Sequence, residues 1–218
     1  MTLLTERFTR AVDYARVAHA AHYRKGSGIP YIYHLLGVSS LVIEFGGSED
    51  QAIAGLLHDV IEDCGAHHGP RIRAEFGDNV ARIVLACTDG TAEEKAEHAD
   101  AEARRLDWVR RKQAYLAHLA EADDEVLLVS GCDKLHNARA IVQDLEDPAV
   151  DVLVFERFTG RRDGTLWYYR GLDEIFAHRR LRTSAVMSSV VKRMHQFDRV
   201  ENAGHAVIAP QKNPRLGG

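Results

Sequence analysis

The sequence predicts an all-α fold, and three observations carry that expectation. Apolar residues recur at helical spacing along most of the 218 residues. Ala, Leu, Glu and Arg are abundant, and only 5 prolines interrupt them. One run alone, EVLLVS at 125–130, reads as a strand, and its continuation into GCDKLHNARAIVQDL turns it into a buried helix.

The elements follow in order. A first helix is expected over about 5–22, with Phe8, Val12, Ala15 and Ala18 on one face. RKGSGIPYIYH at 24–34 breaks it, and Pro30 suits the first turn of the next helix. That helix carries His34, Leu35, Val38, Leu41 and Val42 to about Phe45, where Gly46 and Gly47 stop it. Ser48 with Gln51 forms a capping box that opens a third helix, read as continuous to Asp63. Cys64 to Pro70 is expected as a loop, followed by short helices at 70–76 and 77–87 and a polar loop over TDGTAEEKAEHADAE at 88–102. Long helices are predicted over 101–121 and from Asp123 or Asp124 to about Leu145, with Pro148 opening the next and two more near 164–180 and 184–197. Residues 1–198 then make one domain, and 199–218, rich in Gly, Pro and Asn without periodicity, a flexible tail.

Composition narrows the function. The net charge is −4, so nothing invites a nucleic-acid backbone across a whole face. No run approaches the ~18 apolar residues of a membrane span, and no apolar export signal follows Met1. Three cysteines without a CxxC pair suit a reducing cytoplasm. A cytoplasmic protein acting on a small molecule is the expectation, with its oligomeric state open.

The segment LLHDVIED at 56–63 carries His58, Asp59, Glu62 and Asp63 out of an apolar helix. On one continuous helix, His58 would stack above Glu62 and Asp59 above Asp63, in adjacent rows. Three carboxylates buried together would cost several kcal/mol each without compensation. A cation resolves that cost. His34, mid-helix among packing residues, and Asp133, after an apolar run, complete a two-His, two-Asp set. Each taken singly has a structural explanation, His34 as a core histidine and Asp133 as a partner of Lys134 or Arg139. Together they point to a metal, and mixed imidazole and carboxylate donors suit Mn2+, with Fe2+ or Zn2+ also compatible.

LLHDVIED also resembles the His-Asp doublet and Glu-Asp pair of HD-domain phosphohydrolases, in particular the (p)ppGpp hydrolase branch of RelA/SpoT-type and small stand-alone alarmone hydrolases. RKGSGIPYIYH is similar to that branch's substrate loop and first metal histidine, FGDNVARIVLACTDG to the segment after the doublet, and DKLHNAR to the motif of the last metal aspartate. The blocks run in order from about Ala18 to Leu145. The resemblance implies a helical bundle of about eight to ten helices and a metal-dependent 3′-pyrophosphohydrolase of ppGpp and pppGpp. It implies His34, His58, Asp59 and Asp133 as metal ligands, Glu62 and Asp63 as proton-handling groups, Arg24 and Lys25 beside the base, Asn137 at the ribose and Lys112 at a phosphate. Hydrolysis of another nucleotide, such as an adenine alarmone, a deoxynucleotide or NADPH, is the alternative, and alarmone sensing without turnover a third reading. Cys64 departs from the Thr that branch often has, and FERFTGRRDGTLWYYRGL does not resemble the synthetase region of the long enzymes, so no synthesis is expected.

Overall fold

A computed structural model describes residues 2–88 and 100–204, with side chains to Phe197. Ten α-helices and one 3-10 helix account for its regular structure among the described residues, and the fold is all-α. They are α1 (Glu6–Ala18), α2 (Ile32–Glu44), α3 (Glu49–Leu57), α4 (Val60–Cys64), α5 (His68–Phe76), α6 (Asp78–Cys87), α7 (Ala101–Glu121), α8 (Asp124–Glu146), the 3-10 helix Asp151–Arg157, α9 (Arg161–His178) and α10 (Ser184–Gly204). No helix among the described residues is long and apolar enough to cross a membrane.

Side chains cap four of the helix starts. Thr5 accepts from the Arg7 amide at α1, Asp123 from the Val126 amide at α8, and Asp100 from the Glu102 amide at α7. At α3 both halves of the capping box form, with Ser48 Oγ accepting from Gln51 and the Gln51 side chain accepting from the Ser48 amide at 2.8 Å. Gly46 ends α2 at φ +75°, a left-handed geometry that favours glycine, and the Gly47 amide reaches back to the Val42 carbonyl at 2.8 Å. Arg182 then donates to the Phe45 carbonyl at 2.8 Å and brings a positive charge to that helix end.

The centre of the bundle is α3, whose residues from Gln51 to Leu57 are all buried, surrounded by α1, α2, α6 and α8. Its small residues let α2 come close. A Cβ on Gly55 would meet the Ser39 backbone at 3.2 Å, and Ser39 Oγ donates to the Ala52 carbonyl at 2.8 Å. The EVLLVS run is the buried first part of α8, packed on α2, α3, α6 and α10, so burial and not strand pairing explains its apolar character.

Four boundaries differ from the expectation. The first helix stops at Ala18, and residues 22–31 fold into a hairpin-like loop in which the Tyr31 amide donates to the His22 carbonyl at 2.9 Å and the Arg24 amide to the Ile29 carbonyl at 2.9 Å. The helix expected to run to Asp63 is interrupted at His58 and Asp59, which form a turn between α3 and α4. His68, expected in a loop, is buried in α5 with its Nδ1 2.7 Å from the Tyr14 hydroxyl. The last helix continues to Gly204, past the expected start of the tail, while 205–218 and most of the polar loop at 88–102 lie outside the described residues.

Candidate active site

His34 stands in the first turns of α2, His58 and Asp59 in the turn after α3, and Asp133 in the middle of α8. Because α2, α3 and α8 pack on one another, these four side chains converge. Asp133 Oδ1 lies 3.2 Å from His34 Nε2 and 3.5 Å from His58 Nε2. Asp59 Oδ2 lies 3.0 Å from His58 Nε2 and 3.6 Å from His34 Nε2. Both histidines are buried, and neither Nε2 atom has a hydrogen-bond partner.

That arrangement calls for a cation. His58 Nδ1 is 2.9 Å from the Gly55 carbonyl, which can only accept, so Nδ1 donates and the neutral ring turns an Nε2 lone pair toward two carboxylates. Lone pairs facing carboxylates at this distance repel, and a divalent ion or an added proton removes the conflict. With no ion bound, burial alone would lower the His58 pKa, yet Asp59 and Asp133 outweigh it and hold the ring well above its usual value. Burial alone would raise both aspartates, but His58 and, for Asp133, the Lys134 ammonium hold them well below the usual carboxylate range. The residues therefore fit a divalent metal.

Both carboxylates are also braced by neighbouring donors. Tyr31 donates to Asp59 Oδ2 at 2.7 Å, Lys134 to Asp133 Oδ2 at 2.6 Å, and Asn137 to Asp133 Oδ1 at 2.6 Å. Arg24 donates to Asn137 Oδ1 at 2.8 Å, tying the 22–31 loop to α8. His34 Nδ1 meets His136 Nδ1 at 3.0 Å. Burial, then the charges of His34 and Arg24, lowers His136 to about 4, so the ring is neutral near pH 7. Space for that ring is made by Gly37, where a Cβ would lie 2.2 Å from His136 Nε2. Sequence reasoning missed Tyr31 and His136, whose signal was position, three residues before His34 and three after Asp133, but it did name Lys134 as an ion-pair partner of Asp133, and that pair forms.

A cavity of about 640 Å³ opens beside the four converging side chains. Arg24, Lys25, Glu62, Lys112 and Asn137 all line it. Asp63 does not, and its Oδ2 lies 3.9 Å from His19 Nε2 instead. Among the described residues, seven Lys and Arg side chains line the cavity against three carboxylates, in a chain whose net charge is −4. Lys134 pairs with Asp133, Arg157 with Asp144 and Arg111 with Asp107. Lys112 lies 5.0 Å from the centre of the Tyr168 ring. From the LWYYR segment, Tyr168 and Tyr169 line the wall, so the part of the chain after residue 150 completes the cavity.

The HD-domain family model matches residues 11–165, which contain every residue of this centre. The chain belongs to the HD-domain family. Among its relatives, a guanosine-3′,5′-bis(diphosphate) 3′-pyrophosphohydrolase of Aquifex aeolicus is 32% identical over 138 residues, covering 62% of this chain and 18% of that protein. A protein of Xenopus tropicalis with the same enzyme name is 33% identical over 132 residues, covering 59% of this chain and 66% of the other. A solved structure described as a metazoan ortholog of SpoT that hydrolyzes ppGpp superposes with a TM-score of 0.55 at 25% identity, over 83% of this chain and 99% of that one. This HD-domain chain spans less than a fifth of the length of the long relatives it matches.

Proposed function

We propose that this chain hydrolyses the 3′-pyrophosphate of ppGpp and pppGpp, giving GDP or GTP and pyrophosphate. The observation that carries the reading is the convergence of two unpartnered imidazole nitrogens and two carboxylates beside a net-basic cavity. A polyphosphate suits such a cavity, and its volume lies within the ~300–1,000 Å³ of small-ligand sites. The names and activities given for the relatives support guanosine alarmones as the substrate class.

His34, His58, Asp59 and Asp133 would hold the divalent ion, for which Mn2+ is the proposed identity. Bound there, the ion supplies Lewis acidity and lowers the pKa of a water. The chain's own residues supply the rest. Glu62, facing the cavity, accepts the proton of the water that attacks the phosphorus attached to the ribose 3′ oxygen. A P–O bond forms, the bond to the 3′ oxygen breaks, and that oxygen leaves with a proton. Asp63, set toward His19, supports Glu62 through its charge. Arg24 and Lys25 hold the base, Asn137 the ribose and Lys112 a phosphate.

The test is product analysis after incubating the chain with ppGpp, its adenine counterpart or NADPH, each with Mn2+ or a chelator. Pyrophosphate and GDP released from ppGpp only with the ion is the expected result. Preference for another nucleotide would refute the substrate, and turnover undiminished in chelator would refute the centre.

A further inference from the structure

A second constellation of donor atoms lies beside the HD centre and takes no part in the chemistry just described. His19, His22 and Cys64 each place one ligand atom within 4.8 Å of the others. The sequence brings them together through two ends of helices. After α1 stops at Ala18 the chain turns, the His22 amide donating to the His19 carbonyl at 2.9 Å, so the two imidazoles stand with ring centres 5.3 Å apart. Cys64 closes α4, its thiol donating to the Ala18 carbonyl at 3.3 Å with Sγ 3.9 Å from His22 Nδ1.

One atom there lacks a hydrogen bond. The His19 side chain is fully buried, with Nδ1 3.3 Å from the Ala15 carbonyl and Nε2 unpaired. A buried polar nitrogen left in that state costs about 1–3 kcal/mol. Nε2 faces the side on which Asp63 Oδ2 lies, 3.9 Å away. Two imidazoles and a sulfur, with a carboxylate in reach, are a softer set than the HD centre offers, and they match the donors of a four-coordinate Zn2+ site.

We propose that His19, His22 and Cys64 form a second metal site selective for Zn2+, separate from the HD centre, with water as the fourth ligand. Binding forms a metal–sulfur bond and releases the thiol proton to solvent, with no change of oxidation state. The two sites communicate through Tyr31, which stacks on the His19 ring at 5.1 Å and donates to Asp59.

Sulfur separates this site from the first in an experiment. The full chain, stripped with chelator, is titrated with Co2+. A sulfur-to-cobalt charge-transfer band in the near ultraviolet is expected, its final intensity corresponding to one Co2+ per chain while a further equivalent enters the sulfur-free HD centre without adding to it. Cys64→Ser abolishes the band, His22→Ala weakens Co2+ binding at least ~10-fold, and Cys132→Ser leaves it intact. Zn2+ displaces the Co2+ and slows alkylation of Cys64, the one partly exposed cysteine of the three. Absence of the band, its persistence in Cys64→Ser, or alkylation equally fast with Zn2+ overturns the proposal. His22→Ala carries the test if Cys64→Ser loses its helical circular dichroism.

Discussion

Individual side chains set the chemistry, and the sharpest expectations concern them. Asp59→Asn removes one charge from the proposed metal site, and turnover of ppGpp falls at least ~10²-fold in an assay with Mn2+. Glu62→Gln lowers kcat by ~10²–10⁴-fold, whereas Asp63→Asn, outside the cavity wall, lowers it less. Equal losses in steady-state kinetics would place Asp63 at the reacting water. Gly37→Ala touches no ligand, yet its new Cβ displaces His136 and with it the brace on His34 Nδ1. Metal affinity measured by titration should fall ~10–100-fold with the helical content unchanged.

The same residues set a pH dependence. Burial, ahead of the surrounding charges, lowers His19 to about 4 from an ordinary 6.5. Between those values the unfolded chain binds the extra proton and the folded one does not, so stability rises with pH across the window and is lost as pH falls through it. Each pH unit inside that window is worth at most about 1.4 kcal/mol. Thermal melts in chelator should show Tm falling from pH 7 to pH 4.5, and the fall should be shallower in His19→Gln. An unchanged slope would assign the acid sensitivity to other groups.

Helices translate those side chains into a site. The start of α3 depends on Ser48, and Ser48→Ala removes the capping box at a cost of about 0.5–2 kcal/mol, read as a lower urea midpoint with unaltered slope. The packing of α9 on α7 depends on two missing side chains, since Cβ atoms at Gly160 and Gly164 would meet the Trp108 ring at 2.4 and 3.0 Å. Gly47, Ser48 and Gln51 announced their helix boundary in the sequence because caps are local devices. The break at His58 did not, because the doublet sits in a right-handed turn whose Asp63 amide still donates to the Asp59 carbonyl at 2.8 Å. Sequence periodicity cannot see an interruption that keeps the helical sense. Arg24 and Lys25, read as lying past the first helix, are held by the Tyr23–Pro30 bridge in a loop over the cavity.

In the whole molecule, folding and metal binding are linked. Four donors from three parts of the chain meet only in the native state, so an ion that binds them stabilises the fold, by about 2.7 kcal/mol at a hundredfold excess over Kd. Adding Mn2+ to the stripped chain should therefore raise Tm, and Asp133→Asn should abolish most of that rise. A rise unaffected by the substitution would place the ion elsewhere.

Residue types and local spacing sufficed for the helical class and many helix limits, because caps and amphipathic faces are written over a few neighbouring positions, and they singled out His34, His58, Asp59 and Asp133, which the fold brings together. Long-range packing alone set the partners of those donors. Tyr31 and His136 look like ordinary loop and helix residues until α2, α3 and α8 close on one another. The pairing of His19 and His22 with Cys64, some forty residues onward in the chain, likewise exists only once α1 and α4 have packed, since no periodicity encodes a distance between separate helices.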